Sequence, residues 1–313
     1  MISNVPNSID LDIVARRLYF SAWTQLEDIE SAYPSYLESM ALVSSAEIEQ
    51  GRKEYFEAAQ PEFQSIWVLV QQSNEFAMKA RICGVSPYLL LLRNDIRNIG
   101  KPSQIDFSDF RTIDAVDLPA AIKIFCSKPL SDSYREKYEH LRVLRNKLAH
   151  LGFVKSKFEP KTIFDILITQ YKEFWLDVPW LKARTDFENG RRESLFHNYK
   201  HTSPMMNVML DVPDHFSHFA AAEFKELFGV SKTKLKFACP HCYDNADTRY
   251  AGLIWKKSLT AFKLPDGQHL KCLMCDQTLE VEKFKCNGCK DGTSSNYSKY
   301  WNRCCHCGED ITQ

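Results

Sequence analysis

Four Cys-x-x-Cys pairs stand one after another in the last quarter of this chain: Cys239/Cys242, Cys272/Cys275, Cys286/Cys289 and Cys304/Cys307. Each pair sets two thiolates on one tight knuckle, and a second pair completes the tetrahedral sulfur set that structural Zn²⁺ prefers. Eight such cysteines predict two structural zinc ions with no open coordination position. The two-residue spacing lets backbone N–H groups turn toward sulfur, while the metal replaces the protons that the thiols give up. A single pair would leave a redox motif open, but nothing around these pairs resembles the strand-to-helix setting of a redox active site. A disulfide framework is the weaker reading for a chain of 313 residues.

The intervals between successive pairs are 29, 10 and 14 residues. Sequential pairing gives two successive zinc ribbons and is the favoured arrangement. A nested set, with Cys272, Cys275, Cys286 and Cys289 on one ion, and a cross-braced set are the alternatives. Cys305 and His306 sit inside the last knuckle, where a shifted ligand choice is open. Cys83 and Cys126 fall in apolar helical surroundings and read as core residues.

With 44% apolar residues the chain can bury a full core. Formal charge is zero overall, yet residues 231–313 hold 13 Lys or Arg against 9 Asp or Glu, leaving the remainder mildly acidic. A slightly basic zinc segment could touch phosphate, although Lys232, Lys234, Lys236, Lys256 and Lys257 serve equally well as a solvated face. Met1 to Asp10 lacks the basic flank and apolar core of a signal peptide, and Tyr88 to Leu92 is too short to span a bilayer. The expectation is a soluble protein with no membrane partner. Zinc thiolates and unpaired cysteines point to the reducing cytoplasm.

From residue 10 to about 228 the apolar spacing is mostly helical, starting with Leu11, Val14, Leu18, Ala22, Leu26 and Ile29. Pro61 opens a long central helix carrying Phe63, Ile66, Trp67, Val70, Phe76 and Ala80, which Gly84 and Pro87 end. Residues 100–117 read as a loop, followed by a short helix from Pro119 to Cys126. Asp132 to Leu151 places Tyr134, Tyr138, Leu141, Leu144, Leu148 and Leu151 on one stripe, and Thr162 to Val178 supplies another helix. Asp214 to Phe228 reads as one helix. Beyond Phe237 the pattern changes to short β-type runs such as Gly252 to Trp255, with Pro265, Asp266 and Gly267 marking a turn. The predicted fold is mainly α: a helical bundle over residues 1–180, a helical connector over 181–236, and a small β-rich tandem zinc-ribbon domain over 237–313.

The helix from Asp132 to Leu151 carries Leu144-Arg145-Asn146-Lys147-Leu148-Ala149-His150. An arginine and a histidine separated by four residues, with Asn directly after the Arg, resemble the signature of the HEPN superfamily. The resemblance covers roughly residues 10–180 as architecture, and its specific part is Leu141 to Gly152. It implies a helical bundle that dimerises so that Arg145 and His150 of both copies line one cleft, with metal-independent endoribonuclease activity in host defence or as a toxin. It further implies an acidic residue on an earlier helix that contacts the arginine, and Glu75 holds that position.

The residue chemistry agrees on its own terms. Cleaving RNA through its 2′-OH needs a group that moves protons near neutral pH and a cation for the phosphorane charge, roles that histidine and arginine fill. Residues five apart on a helix are displaced by about 140°, so Arg145 and His150 share a face only if the arginine stem bends. Asn146 lies four residues before His150 and can orient the imidazole or bind a phosphate oxygen. Arg145, Asn146 and His150 also suit an ordinary polar edge of a bundle helix. The functional expectation is an RNA-cleaving homodimer whose ribbons bind RNA or a regulatory protein partner. The alternatives are a non-catalytic dimeric zinc-ribbon adapter and a regulator that senses a small ligand. His197 with His201, and His215 with His218, read as surface pairs. No phosphate-binding glycine loop, nucleophile elbow or H-E-x-x-H site is present.

Overall fold

The computed structural model describes residues 2–40, 44–92, 105–151, 157–196, 204–245, 258–289, 294–298 and 302–309. The chain divides into two compact units, Met1–Trp175 and Leu176–Gln313. It is mainly helical, with small sheets toward its C-terminal end.

In the first unit, β1 (Ile2–Ser3) pairs in parallel with β2 (Ile105–Asp106). The helices are α1 (Ser8–Ser39), α2 (Ser45–Ala58), α3 (Gln60–Cys83), α4 (Leu118–Phe125), α5 (Asp132–Leu151) and α6 (Pro160–Phe174). Asn7 starts α1 by accepting the Asp10 amide at 2.8 Å, and Pro61 occupies the first turn of α3, where its missing N–H costs nothing. α1 packs most extensively against α3. Tyr19 meets Tyr171 and Trp175 with ring centroids 5.4 and 5.5 Å apart, and Trp23 meets Phe164 at 4.9 Å. A second apolar cluster joins Met78 and Ile82 of α3 to Leu118 and Ile122 of α4 and Tyr134 and Tyr138 of α5.

Between these apolar layers runs a buried polar network. Tyr134 OH donates to Asn74 Oδ1 at 2.6 Å, Asn74 Nδ2 donates to Gln170 Oε1 at 3.0 Å, Gln170 Nε2 donates to Ser73 Oγ at 2.7 Å, and Ser73 Oγ donates to the Ala15 carbonyl at 2.7 Å. One chain of hydrogen bonds thus touches α1, α3, α5 and α6. Glu173 extends the polar packing, taking Arg81 at 3.2 Å and the Ser131 hydroxyl at 2.7 Å.

Several expectations are corrected here. Part of the segment read as a loop forms β2 and a helical turn at Phe107–Asp109, and Leu91 bridges Thr112. α6 stops at Phe174, short of Val178, because Trp175 leaves the helical region at φ −134° and its indole N–H donates to Asp12 Oδ1 at 2.6 Å. Cys83 is buried and Cys126 half-buried, in line with core roles.

The second unit begins with α7 (Trp180–Asn189), α8 (Pro204–Ser217) and α9 (Ala221–Phe228). The single helix expected over 214–228 is therefore two. Ala220 takes an extended conformation and its amide donates to Glu223 at 2.8 Å, starting α9 anew. Phe219, in the break, is buried against Trp180, Phe224 and Phe228. Then follow β3 (Leu235–Phe237), α10 (Pro240–Asp244), β4 (Ala261–Lys263), β5 (His269–Cys272), β6 (Thr278–Glu280), β7 (Glu282–Lys285), β8 (Ser294–Ser298) and β9 (Arg303–Cys304). They form two antiparallel sheets, ordered β3-β4-β5-β6 and β7-β8-β9. The expected turn at 265–267 joins β4 to β5, with Asp266 accepting the Gln268 amide at 2.9 Å and Gly267 at φ +72°. The run Gly252 to Trp255 and the pair His197 and His201 lie outside the described residues.

His215, read from sequence as part of a surface pair, is fully buried against the Trp180 ring, 5.2 Å between centroids. Burial, aided by the Arg184 guanidinium, pushes its imidazole down to about 3. The folded state thus refuses a proton that the unfolded chain takes up near 6.5. The resulting stability is complete above that pH and is lost as pH falls toward 3. Lowering pH from 7 to 5 is expected to cost the second unit about 2 kcal/mol through this residue. Denaturant titrations at the two pH values should show a smaller loss for His215→Phe than for the parent chain.

Candidate metal centres and a polar helix edge

Each sheet carries one group of four cysteines. Cys239, Cys242, Cys272 and Cys275 bring their sulfurs within 4.8 Å of one another, and Cys286, Cys289, Cys304 and Cys307 do the same. The pairing is sequential, neither nested nor cross-braced. In the first group Cys239 is 3.6 Å from Cys275 and Cys242 is 3.8 Å from Cys272. In the second, Cys286 is 3.4 Å from Cys307 and Cys289 is 3.8 Å from Cys304. A tetrahedron of sulfurs each about 2.3 Å from a central ion has edges of about 3.8 Å. Disulfides would need about 2.05 Å. The donor sets therefore fit two structural metal ions.

Local folding produces these positions. Cys239 is the residue before α10, so the first knuckle is a helix start. Cys272 ends β5, and the knuckle that follows lets the Met274 amide donate to Cys272 Sγ at 3.3 Å while Thr260 Oγ1 lies 3.4 Å away. The His306 amide approaches Cys304 Sγ at 3.4 Å in the same manner. In the third knuckle a Cβ on Gly288 would lie 3.0 Å from Glu309 Cβ and 3.3 Å from Cys307 Sγ, so a side chain there would need Glu309 and Cys307 to give by a few tenths of an ångström. Contacts with Cys239, Cys272 and Cys275, together with burial, push the Cys242 thiol up, whereas Cys275 is pulled down by Cys239, Cys242 and Cys272. Four crowded sulfurs cannot all ionise in a buried site unless a cation sits among them.

The two inner residues of the last knuckle take separate roles. Cys305 is fully buried, and its carbonyl accepts the Ala238 amide at 2.8 Å, joining the last knuckle to the segment before the first. His306 is exposed, with Nδ1 3.5 Å from Cys289 Sγ, a neighbour of the sulfur set. His306 was named from the sequence as a possible shifted ligand, whereas Thr260 and Gly288 were not singled out. A small residue two positions from a cysteine, as Gly288 is from Cys286, is the only trace such a role leaves there.

In the first unit, α5 holds its tyrosines and Leu141 in the core while its final turns leave it. Arg145 and Asn146 are half-buried and His150 is exposed in the last turn. Arg145 Nη1 donates to Asn146 Oδ1 at 3.3 Å, so the guanidinium lies over toward the side on which Asn146 precedes His150 by one turn. Glu75 is half-buried on α3 and accepts Gln71 Nε2 at 3.0 Å. Burial and then the Glu75 carboxylate push the nearby Tyr138 phenol well up. Among the described residues, Glu75 forms no ion pair with Arg145. No helix among them is long and apolar enough to cross a membrane.

Compared with protein-family models, with curated proteins and with solved structures, the chain matches none.

Proposed function

We propose that this chain is a HEPN-like, metal-independent endoribonuclease that works as a cytoplasmic homodimer, in host defence or as a toxin, with two structural zinc ions in its ribbons. One observation carries the reading: the Arg145 guanidinium bends to Asn146, toward the side of α5 on which His150 stands exposed. That bend answers the 140° displacement that five helical residues impose. Zinc supplies a fixed scaffold when bound to the eight cysteines and takes no part in the chemistry.

In this mechanism one copy of His150 removes the 2′-OH proton, and the 2′ oxygen attacks the adjacent phosphorus. The bond to the 5′ oxygen breaks, and that oxygen takes a proton from the other copy of His150. The products are a 2′,3′-cyclic phosphate and a free 5′-OH. Arg145 stabilises the equatorial phosphorane oxygens with its planar fork, and Asn146 orients the imidazole. Two-fold symmetry provides both a base and an acid from one residue type.

Purified protein should cut RNA in brief EDTA treatment that leaves its zinc in place, yielding discrete fragments with cyclic phosphate ends. His150→Ala is expected to slow cutting about 10²- to 10⁴-fold with zinc content and dimer unchanged. Undiminished cutting rejects the assignment. A non-catalytic zinc-ribbon adapter, binding nucleic acid or a regulatory protein, is favoured by one observation, the engagement of Glu75 with Gln71 and not with Arg145. Failure of the parent protein to cut any RNA leaves that second reading standing.

A further inference from the structure

In the second unit, the end of α9 and the turn after it face the first sheet across a groove of about 1010 Å³. Lys225, Lys234 and Lys263 line it together with Phe237, Phe262 and Thr233, and the pairing of Leu235 with Phe262 brings Lys234, just before β3, and Lys263 on β4 to neighbouring positions. No Asp or Glu is among the lining residues. Both phenylalanines are half-buried, so each ring is only partly covered. Lys225 and Lys234 are exposed, and neither has an ion-pair partner among the described residues. Burial pushes the Lys263 ammonium down, and the charge of Lys283 on β7 adds to this, while Asp266 in the adjoining turn opposes it. Lys263 is thus a cation crowded by a like charge.

We propose that this groove binds a single-stranded polynucleotide, its phosphates on Lys225, Lys234 and Lys263 and its bases against Phe237 and Phe262. Lysines spaced along a channel track a phosphate backbone, and exposed aromatic rings take unpaired bases by stacking, a combination that holds a strand without reading its sequence. A duplex hides its base faces and cannot use the rings. An acidic peptide satisfies the lysines but gains nothing from the rings. The ring of Phe237 also lies 6.5 Å from that of His306, beside the second cysteine group, which ties the groove wall to both metal-bearing sheets. The site belongs to the second unit and shares no residue with α5, so binding here does not require that the chain cut RNA.

The test uses full-length His150→Ala protein with both zinc ions, so that binding is read without cleavage. Fluorescence anisotropy is measured with labelled 12-nucleotide single-stranded RNA, the same sequence as single-stranded DNA, the RNA duplex, and a polyglutamate peptide. Single strands are expected to bind at least tenfold tighter than duplex or peptide, and the RNA and DNA arms assign the sugar preference. Replacing both exposed lysines, K225E with K234E, should weaken single-strand binding at least tenfold and reduce the salt slope by about 1.4. Phe262→Leu should weaken it about tenfold while zinc content holds at two. If Phe262→Leu loses zinc, the lysine pair alone decides. Equal binding of duplex, binding of the peptide alone, or affinity indifferent to the lysine pair overturns the proposal. Failure of the parent chain to cut RNA, with single-strand binding intact, tells against the nuclease reading only.

Discussion

Cys272→Ala is expected to lower bound zinc from two ions per chain to one and to unfold the sheet that carries the first cysteine group. Cys272 is fully buried at the end of β5, which pairs with β4 on one side and β6 on the other. Its sulfur faces Cys242 at 3.8 Å and takes the Met274 amide at 3.3 Å, so its loss removes a ligand and a fold contact together. Structural zinc in small thiolate sites is worth about 10–16 kcal/mol of apparent binding free energy, most of which appears as folding free energy. Metal analysis of purified protein and circular dichroism of the second unit measure it, with Cys126→Ala as the control that keeps two ions. Two ions retained by Cys272→Ala, with unchanged unfolding, would remove the case for the site.

The second large effect lies in the bundle. Trp67 on α3 is 1% exposed, and its indole N–H donates to the Leu141 carbonyl on α5 at 3.0 Å. Its ring also meets Phe158 with centroids 5.0 Å apart. Trp67→Ala is expected to destabilise the first unit by about 3–5 kcal/mol, through lost apolar contact and the cavity left behind. Trp67→Phe keeps much of the contact but removes the indole donor to the Leu141 carbonyl, which still accepts within α5, and should cost about 0.5–1.5 kcal/mol through that hydrogen bond. Urea unfolding of the full chain separates the two variants. Because Leu141 lies one turn before Arg145, the alanine variant should also reduce RNA cutting if the proposed nuclease reading holds. Identical midpoints for both would show that the hydrogen bond, not the packing, carries the site.

Much of this structure was readable in the sequence where the pattern was strong. The helix from Asp132 to Leu151 was read with its observed bounds because its tyrosines and leucines recur on one buried stripe. The sequential pairing of the cysteines was also favoured from their spacing. α2 was missed because Gly51 is its only buried residue, leaving no apolar stripe to read. Its start was visible only as a capping box, with Ser44 accepting the Glu47 amide at 3.2 Å. α8 was missed over its first turns, since Met206, Val208, Met209 and Val212 follow polar residues that masked the start. The fate of His215 was unreadable for another reason: burial against Trp180 depends on a neighbour 35 positions away. The lysine and phenylalanine groove has the same origin, joining α9 to strands with no local signature.

The chain of hydrogen bonds from Tyr134 through Asn74, Gln170 and Ser73 to the Ala15 carbonyl acts as an index between four helices. Sliding or rolling any one of them by a turn would orphan several enclosed donors and acceptors at about 1–3 kcal/mol each. α5 is thereby locked in azimuth, and the direction in which its last turn presents His150 is set by groups far from it. A second copy paired there, as proposed, would meet that edge as it stands; the helix will not swivel to meet one.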